Sequence, residues 1–195
     1  MMFIHRVALH ARSACRVSIR GFSSGSTSAP KVNAFAVFAQ PESFDVDLDT
    51  IEASFRSLQM KYHPDQNANS TEPLEAAEIE KKSSELNEAV RILRNPVLRA
   101  EHLMALKGSS PLQDESSRVD DPQLMFQLIE MQSDYEEGNA QEKEQILAQI
   151  RGQLKDLEPS FAQKYAYGDL ENATQVLTQM ILLERFLQRM TGGAV

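Results

Sequence analysis

From Asp45 onward apolar residues recur at alternating intervals of three and four, and that rhythm admits helices and little else. Leu48, Ile51, Phe55, Leu58 and Tyr62 form one stripe at spacings of 3, 4, 3 and 4. Asp47 stands before them as an N-cap, a residue type whose side chain takes an orphan amide for about 1 kcal/mol. His63-Pro64 ends this helix, because proline disfavours helical geometry in the residue before it. A polar loop follows, and Thr71-Glu72-Pro73 reads as the next helix start. Ala76, Ile79, Ser83, Leu86, Val90 and Leu93 make a second stripe fit to pack on the first, closed by Asn95-Pro96. A short helix through Ala100, Leu103 and Met104 leads to Gly108, a C-terminal stop.

The Ser-rich, apolar-poor stretch from Gly108 to Asp120 reads as a hinge. Three longer patterns follow, over Pro122 to Glu137, Gln141 to Ala166 and Leu170 to Met190. The short breaks at Gly138-Asn139 and Gly168-Asp169 imply an antiparallel three-helix bundle. Pro159 falls inside the middle pattern, where a helix-interior proline costs about 3 kcal/mol, so a kink or break is expected near Glu158. The expected fold is all-α, a helical hairpin followed by a three-helix bundle. Its boundaries are a lead at 1–32, a first domain at 33–108, a linker at 109–120 and a second domain at 121–195.

The lead has its own chemistry. Residues 1–41 contain no Asp or Glu, yet carry Arg6, Arg12, Arg16 and Arg20 and a run of serines from Ser23. Basic, hydroxylated and acid-free is the composition of a mitochondrial presequence, whereas a secretory signal needs an apolar core that these arginines interrupt. Removal after Phe22 is expected, leaving a mature net charge near −12 from −8 for the whole chain. That balance argues against a nucleic-acid binder, and the absence of an 18-residue apolar run argues against a membrane span. Cys15 stands alone, without the partners a disulfide or a Cys-based zinc site requires.

Tyr62-His63-Pro64-Asp65 sits between the first two stripes, behind Phe55, Arg56, Leu58 and Lys61. In that setting it resembles a J-domain. The resemblance implies that His63, Pro64 and Asp65 engage a DnaK-type chaperone and accelerate its ATP hydrolysis. Arg56 and Lys61 then face the partner's acidic surface and steer encounter. Asn33 to Phe38, Ser83 to Ala89, and Asn95-Pro96 with Arg99-Ala100-Glu101-His102-Leu103 resemble the HscB iron–sulfur co-chaperones, as do Leu124-Met125-Phe126 and Arg185-Phe186-Leu187. This likeness implies an adaptor, not an enzyme, with no cofactor of its own. Its implied partners are a DnaK-type ATPase and an IscU-type cluster scaffold, in the mitochondrial matrix. The paired cysteines of the zinc module found in many eukaryotic relatives do not occur in this sequence.

On a helical wheel Leu124, Leu128, Met131 and Tyr135 fall within about 60°, while Met125, Phe126 and Ile129 occupy a separate sector. Phe186 lies off the stripe formed by Val176, Met180, Leu183, Leu187 and Met190. A helix with two apolar sectors buries both or shows one to a partner. By resemblance, scaffold binding is expected at Met125, Phe126, Ile129, Glu130, Leu182 and Phe186. Three alternatives compete: a general J-protein serving unfolded or imported clients, a metal enzyme built on His63, Asp65 and His102, and a purely structural scaffold in which the loop is inert.

Overall fold

The structure is a computed structural model and describes residues 32–62, 73–109 and 122–192. Every regular element among them is a helix: α1 (Ala34–Val37), α2 (Leu48–Tyr62), α3 (Pro73–Arg94), α4 (Pro96–Leu106), α5 (Pro122–Glu137), α6 (Ala140–Ala166) and α7 (Leu170–Thr191). The expected presequence, the expected hinge beyond Ser109 and the His63-Pro64-Asp65 tripeptide lie outside the described residues.

The helix starts follow the capping chemistry of the sequence. Asp47 accepts from the backbone amides of Asp49 and Thr50 and from the Thr50 hydroxyl, closing the first turn of α2. These bonds favour its ionised form and hold its pKa below the usual carboxylate value. Asn95 accepts from the amides of Val97 and Leu98, with Pro96 at the first position of α4, where a missing N–H costs nothing. Asn139 and Glu142 form a reciprocal capping box at the start of α6. Gly138, just before it, is pressed so close to its own chain that an added Cβ would stand 2.8 Å from the Asp134 carbonyl oxygen. Gly168, at φ +75°, supplies the left-handed turn that folds α7 back along α6.

Helix α6 runs unbroken through Pro159 for 27 residues, correcting the break expected at Glu158. Proline there removes the hydrogen bond to the carbonyl of Lys155. Both residues are exposed, so water can take that carbonyl, and the packed side of the helix, with Phe161, is untouched.

Burial in the α2–α3 hairpin is deepest away from its loop, except at Leu48 on the first turn of α2. Ile51, Leu86, Val90 and Leu93 are buried, Phe55, Leu58, Tyr62 and Ile79 are half-buried, and Leu48 is exposed. The two helices are tied by Arg94, which donates through Nη2 to Glu52 at 2.7 Å and rests its guanidinium 5.5 Å from the Phe55 ring.

One apolar cluster spans both expected domains. It joins Phe35, Ile51, Leu93, Val97, Leu103 and Met104 to Phe161 on α6 and to Val176, Leu177, Met180 and Ile181 on α7. A second cluster, with Leu128, Leu147, Ile150, Leu183, Phe186 and Leu187, fills the three-helix half, and Leu154 and Leu157 pack against both. Helix α7 contacts α4, α5 and α6, so its buried arc is far wider than the single stripe of its sequence. This explains a second correction: Phe186 is only 7% exposed, its ring inside the second cluster and the Arg189 guanidinium 5.4 Å from its centre. Leu182 is half-buried against the same cluster.

Two side chains of α4 lock the first half. His102 Nε2 accepts from the Ala34 amide at 3.1 Å, so the neutral ring carries its proton on Nδ1. Burial lowers its pKa and keeps it neutral. Arg99, also buried, donates from Nη1 to the Leu93 carbonyl at 2.7 Å and lies 4.7 Å over the Phe44 ring.

Candidate functional site

Two surfaces stand out, the end of α2 and the outer side of α5. The first is the C-terminal end of α2, the last described turn before His63. Arg56 and Lys61 are exposed there, as expected, and Met60 beside them is 60% exposed. Arg56 and Lys61 lie five positions apart, about 140° around the helix at 100° per residue, and so flank the exposed side rather than share one line. Tyr62 is gripped by two ammonium groups, Lys61 and Lys82 each lying 5.3 Å from its ring centre. Such cation–π contacts contribute about 0.5–1 kcal/mol when exposed and orient the ring. Together they hold the helix end from which the tripeptide departs.

Lys82 is a member of this group that the sequence reading missed. The sequence carried no signal for it: the gap between α2 and α3 would set 62 opposite 73, and it is the packed register, seen also where Arg94 meets Glu52, that brings Tyr62 to Lys82. Glu52, one turn before Arg56, is held below the usual glutamate pKa by its hydrogen bonds from Arg94, with Arg56 adding a smaller Coulombic contribution. The net charge along this face is therefore smaller than the count of basic residues suggests.

The second surface is the outer side of α5. Phe126 and Ile129, three residues apart and hence neighbours on one helix face, are 63% and 57% exposed. Met125 is half-buried beside them and Glu130 is exposed. The opposite side of the helix does the packing: Leu128 is buried, and Leu124, Met131 and Tyr135 pack around it. Tyr135 also donates its hydroxyl to the Met190 carbonyl at 2.9 Å, pinning the end of α5 to the end of α7. The two apolar sectors read from the wheel thus have different fates on α5, one buried and one shown. On α7, Phe186 joins the buried set.

His102 is spent on the Ala34 amide, and no group of three His, Cys, Asp or Glu side chains among the described residues could hold a metal ion. No described helix is long and apolar enough to cross a membrane.

Comparison with known proteins agrees with this layout. Residues 43–102 match the DnaJ domain. The chain is 36% identical over 106 residues to the co-chaperone protein HscB homolog of Shewanella pealeana, covering 54% of this chain and 60% of that protein's length. The chain thus spans about three fifths of that relative. Against the HscB homolog of Shewanella baltica it is 30% identical over 154 residues, covering 79% of this chain and 81% of the relative. The human co-chaperone protein HscB shares the fold, with a TM-score of 0.72 at 21% identity over 85% of this chain and 84% of that one. With a J-type hairpin, a three-helix half and this extended similarity, the chain belongs to the HscB family of J-domain co-chaperones.

Proposed function

We propose that this protein is a mitochondrial co-chaperone of iron–sulfur cluster assembly, an adaptor that presents an IscU-type scaffold to a DnaK-type ATPase and stimulates that partner's ATP hydrolysis. The observation that carries the reading is the Phe126–Ile129 pair, two large apolar side chains left in solvent on a helix whose other side is packed. Met125 and Glu130 complete the face, with Leu182 the half-buried α7 residue assigned to the same partner. Phe186 contributes from beneath as a core residue.

The magnitudes fit a transient client. Two exposed side chains supply about 3–6 kcal/mol gross at roughly 1.5–3 each. Association costs of about 4–15 kcal/mol consume most of that, so neighbours and polar contacts decide the remainder. A scaffold that must be passed on is suited by such a weak hold.

On the other half, Pro64 fixes the loop backbone, His63 offers a directional polar contact and Asp65 a charge for a partner arginine. Arg56 and Lys61 set the rate and salt dependence of encounter. The mitochondrial setting is supported by the acid-free, arginine-spaced residues 1–41. The test is a steady-state ATPase assay with a DnaK-type chaperone. Wild type should stimulate and His63→Gln should not, while both bind scaffold equally. Full stimulation by the variant would reject the role of the loop.

A further inference from the structure

The three-helix half carries an open cleft that neither surface above uses. It lies between α5, α6 and α7 and has a volume of about 450 Å³, a size typical of ligand sites. Its floor is apolar: Leu183 is buried, and Leu124 and Leu157 are half-buried. Carboxamides surround that floor, from Gln127 on α5, Gln153 on α6 and Gln179 on α7. The lining holds one formal charge, the exposed carboxylate of Asp156, and no cation. Among the described residues Asp156 has no ion-pair partner, and Arg151, earlier on the same helix, is taken by Glu144 at 3.1 Å. One acceptor is unmet: Gln153 Oε1 is shielded from water and receives no hydrogen bond from the described residues. Such an atom is costly until a donor arrives. The torsion that ends a glutamine side chain is soft, so the oxygen can turn to meet one.

These features select among occupants. An anion meets Asp156 and finds no cation. A purely apolar group covers the carboxamides without pairing them. A lysine brings three donors on a point charge, whereas an arginine lays its methylene stem on the leucines and fans out five N–H donors. We propose that the cleft receives an arginine side chain of the scaffold protein, its stem on Leu124, Leu157 and Leu183 and its guanidinium among Asp156 and the carboxamides. This rests on reading the α5 face as the scaffold-binding surface, and the position fits that reading. Gln123 lines the cleft beside Gln127, and it is three residues from exposed Phe126, hence its neighbour on the helix surface. A partner seated on Phe126 and Ile129 therefore has the cleft at the edge of its footprint. The apolar pair supplies hold and the cleft supplies discrimination, because a partner without the arginine leaves these acceptors unmet.

The experiment is isothermal titration of an IscU-type scaffold into the full chain as wild type, Phe126→Ser, Gln127→Glu, Gln127→Arg and Asp156→Asn. Gln127 and Asp156 are exposed, so their variants should fold as the wild type does. Relative to wild type, binding should be about threefold tighter with Gln127→Glu and about threefold weaker with Asp156→Asn. Gln127→Arg places a cation where the partner's is expected, and should weaken binding about tenfold. A second arm replaces the scaffold with N-acetyl-arginine amide or N-acetyl-norleucine amide, and follows the side-chain amide resonances of Gln127, Gln153 and Gln179. The arginine amide alone should shift them saturably, and less so in Asp156→Asn. Weakened binding in Phe126→Ser with equal affinities in the three cleft variants overturns the cleft and spares the reading of the α5 face. A scaffold that fails to bind even the wild type overturns both. Equal responses to the two amides also overturn the proposal. So does a response that appears only when Arg118, outside the described residues, is replaced by alanine, since the chain's own linker is then the occupant.

Discussion

Asn95 makes two attachments with one side chain: its carbonyl oxygen caps α4, and its amide nitrogen donates to Glu184 of α7 at 2.6 Å. A helix start in the first half is thereby wired to the central helix of the second. Asn95→Asp keeps the cap acceptor but replaces the donor with a charge beside Glu184, whereas Asn95→Ala loses both contacts. The alanine variant should cost about 1–2 kcal/mol. The aspartate variant should be more pH-sensitive, recovering stability as acid neutralises either carboxyl. Denaturant midpoints of the two variants at pH 5 and 8 check this.

Arg99 is a cation placed where a hydrophobe would be expected, with one hydrogen bond, one aromatic face and an unpaired buried Nε. Burial lowers its pKa while Glu158 and Asp45 support the charge. Arg99→Lys removes the planar fork that fits between Leu93 and Phe44, and should destabilise the chain by about 1–3 kcal/mol. Restored stability in the lysine variant would show that charge alone, not shape, is what the site requires. Thermal unfolding measures it.

Gly152 lies on an exposed position of α6, and a Cβ there would meet nothing within 4 Å. Gly152→Ala should stabilise by about 0.5–1 kcal/mol through helix propensity. The same change at Gly138 should destabilise, because the Asp134 carbonyl oxygen stands in the way. Urea unfolding of the two variants distinguishes a tolerated glycine from a required one.

The fold was legible where local chemistry decides it. The stripes of α2 and α3, the cap at Asp47, the close at Asn95-Pro96 and the breaks at Gly138 and Gly168 each act within a few residues, and the helices begin and end close to where those residues place them. Long-range packing is what the sequence concealed. Pro159 reads as a breaker only if its helix needs every hydrogen bond on its solvent side, which α6 does not. Phe186 reads as spare only if α7 has one neighbour; among the described residues it packs on α4, α5 and α6, and the cluster with Leu128 and Ile150 absorbs the ring. The grip of Lys82 on Tyr62 likewise depends on how two helices meet. On α5, with packing on one side alone, the wheel separated Leu128 from Phe126 and Ile129 correctly.

The contrast between α5 and α7 gives a direct check. Phe186→Ala should cost about 3–5 kcal/mol, as expected for a core phenylalanine. Phe126→Ser should stay within about 0.5 kcal/mol of wild type, since its side chain is already in water. Melting curves of the two variants decide which phenylalanine the monomer needs.

The measurement that bears most directly on the central claim is isothermal titration of an IscU-type scaffold into the wild-type chain and into the double variant Phe126→Ser, Ile129→Ser. Saturable binding by the wild type is expected, with at least about tenfold weaker binding by the variant and an unchanged melting temperature. Equal affinity in a folded variant would contradict it and leave the exposed face of α5 without a role in scaffold capture.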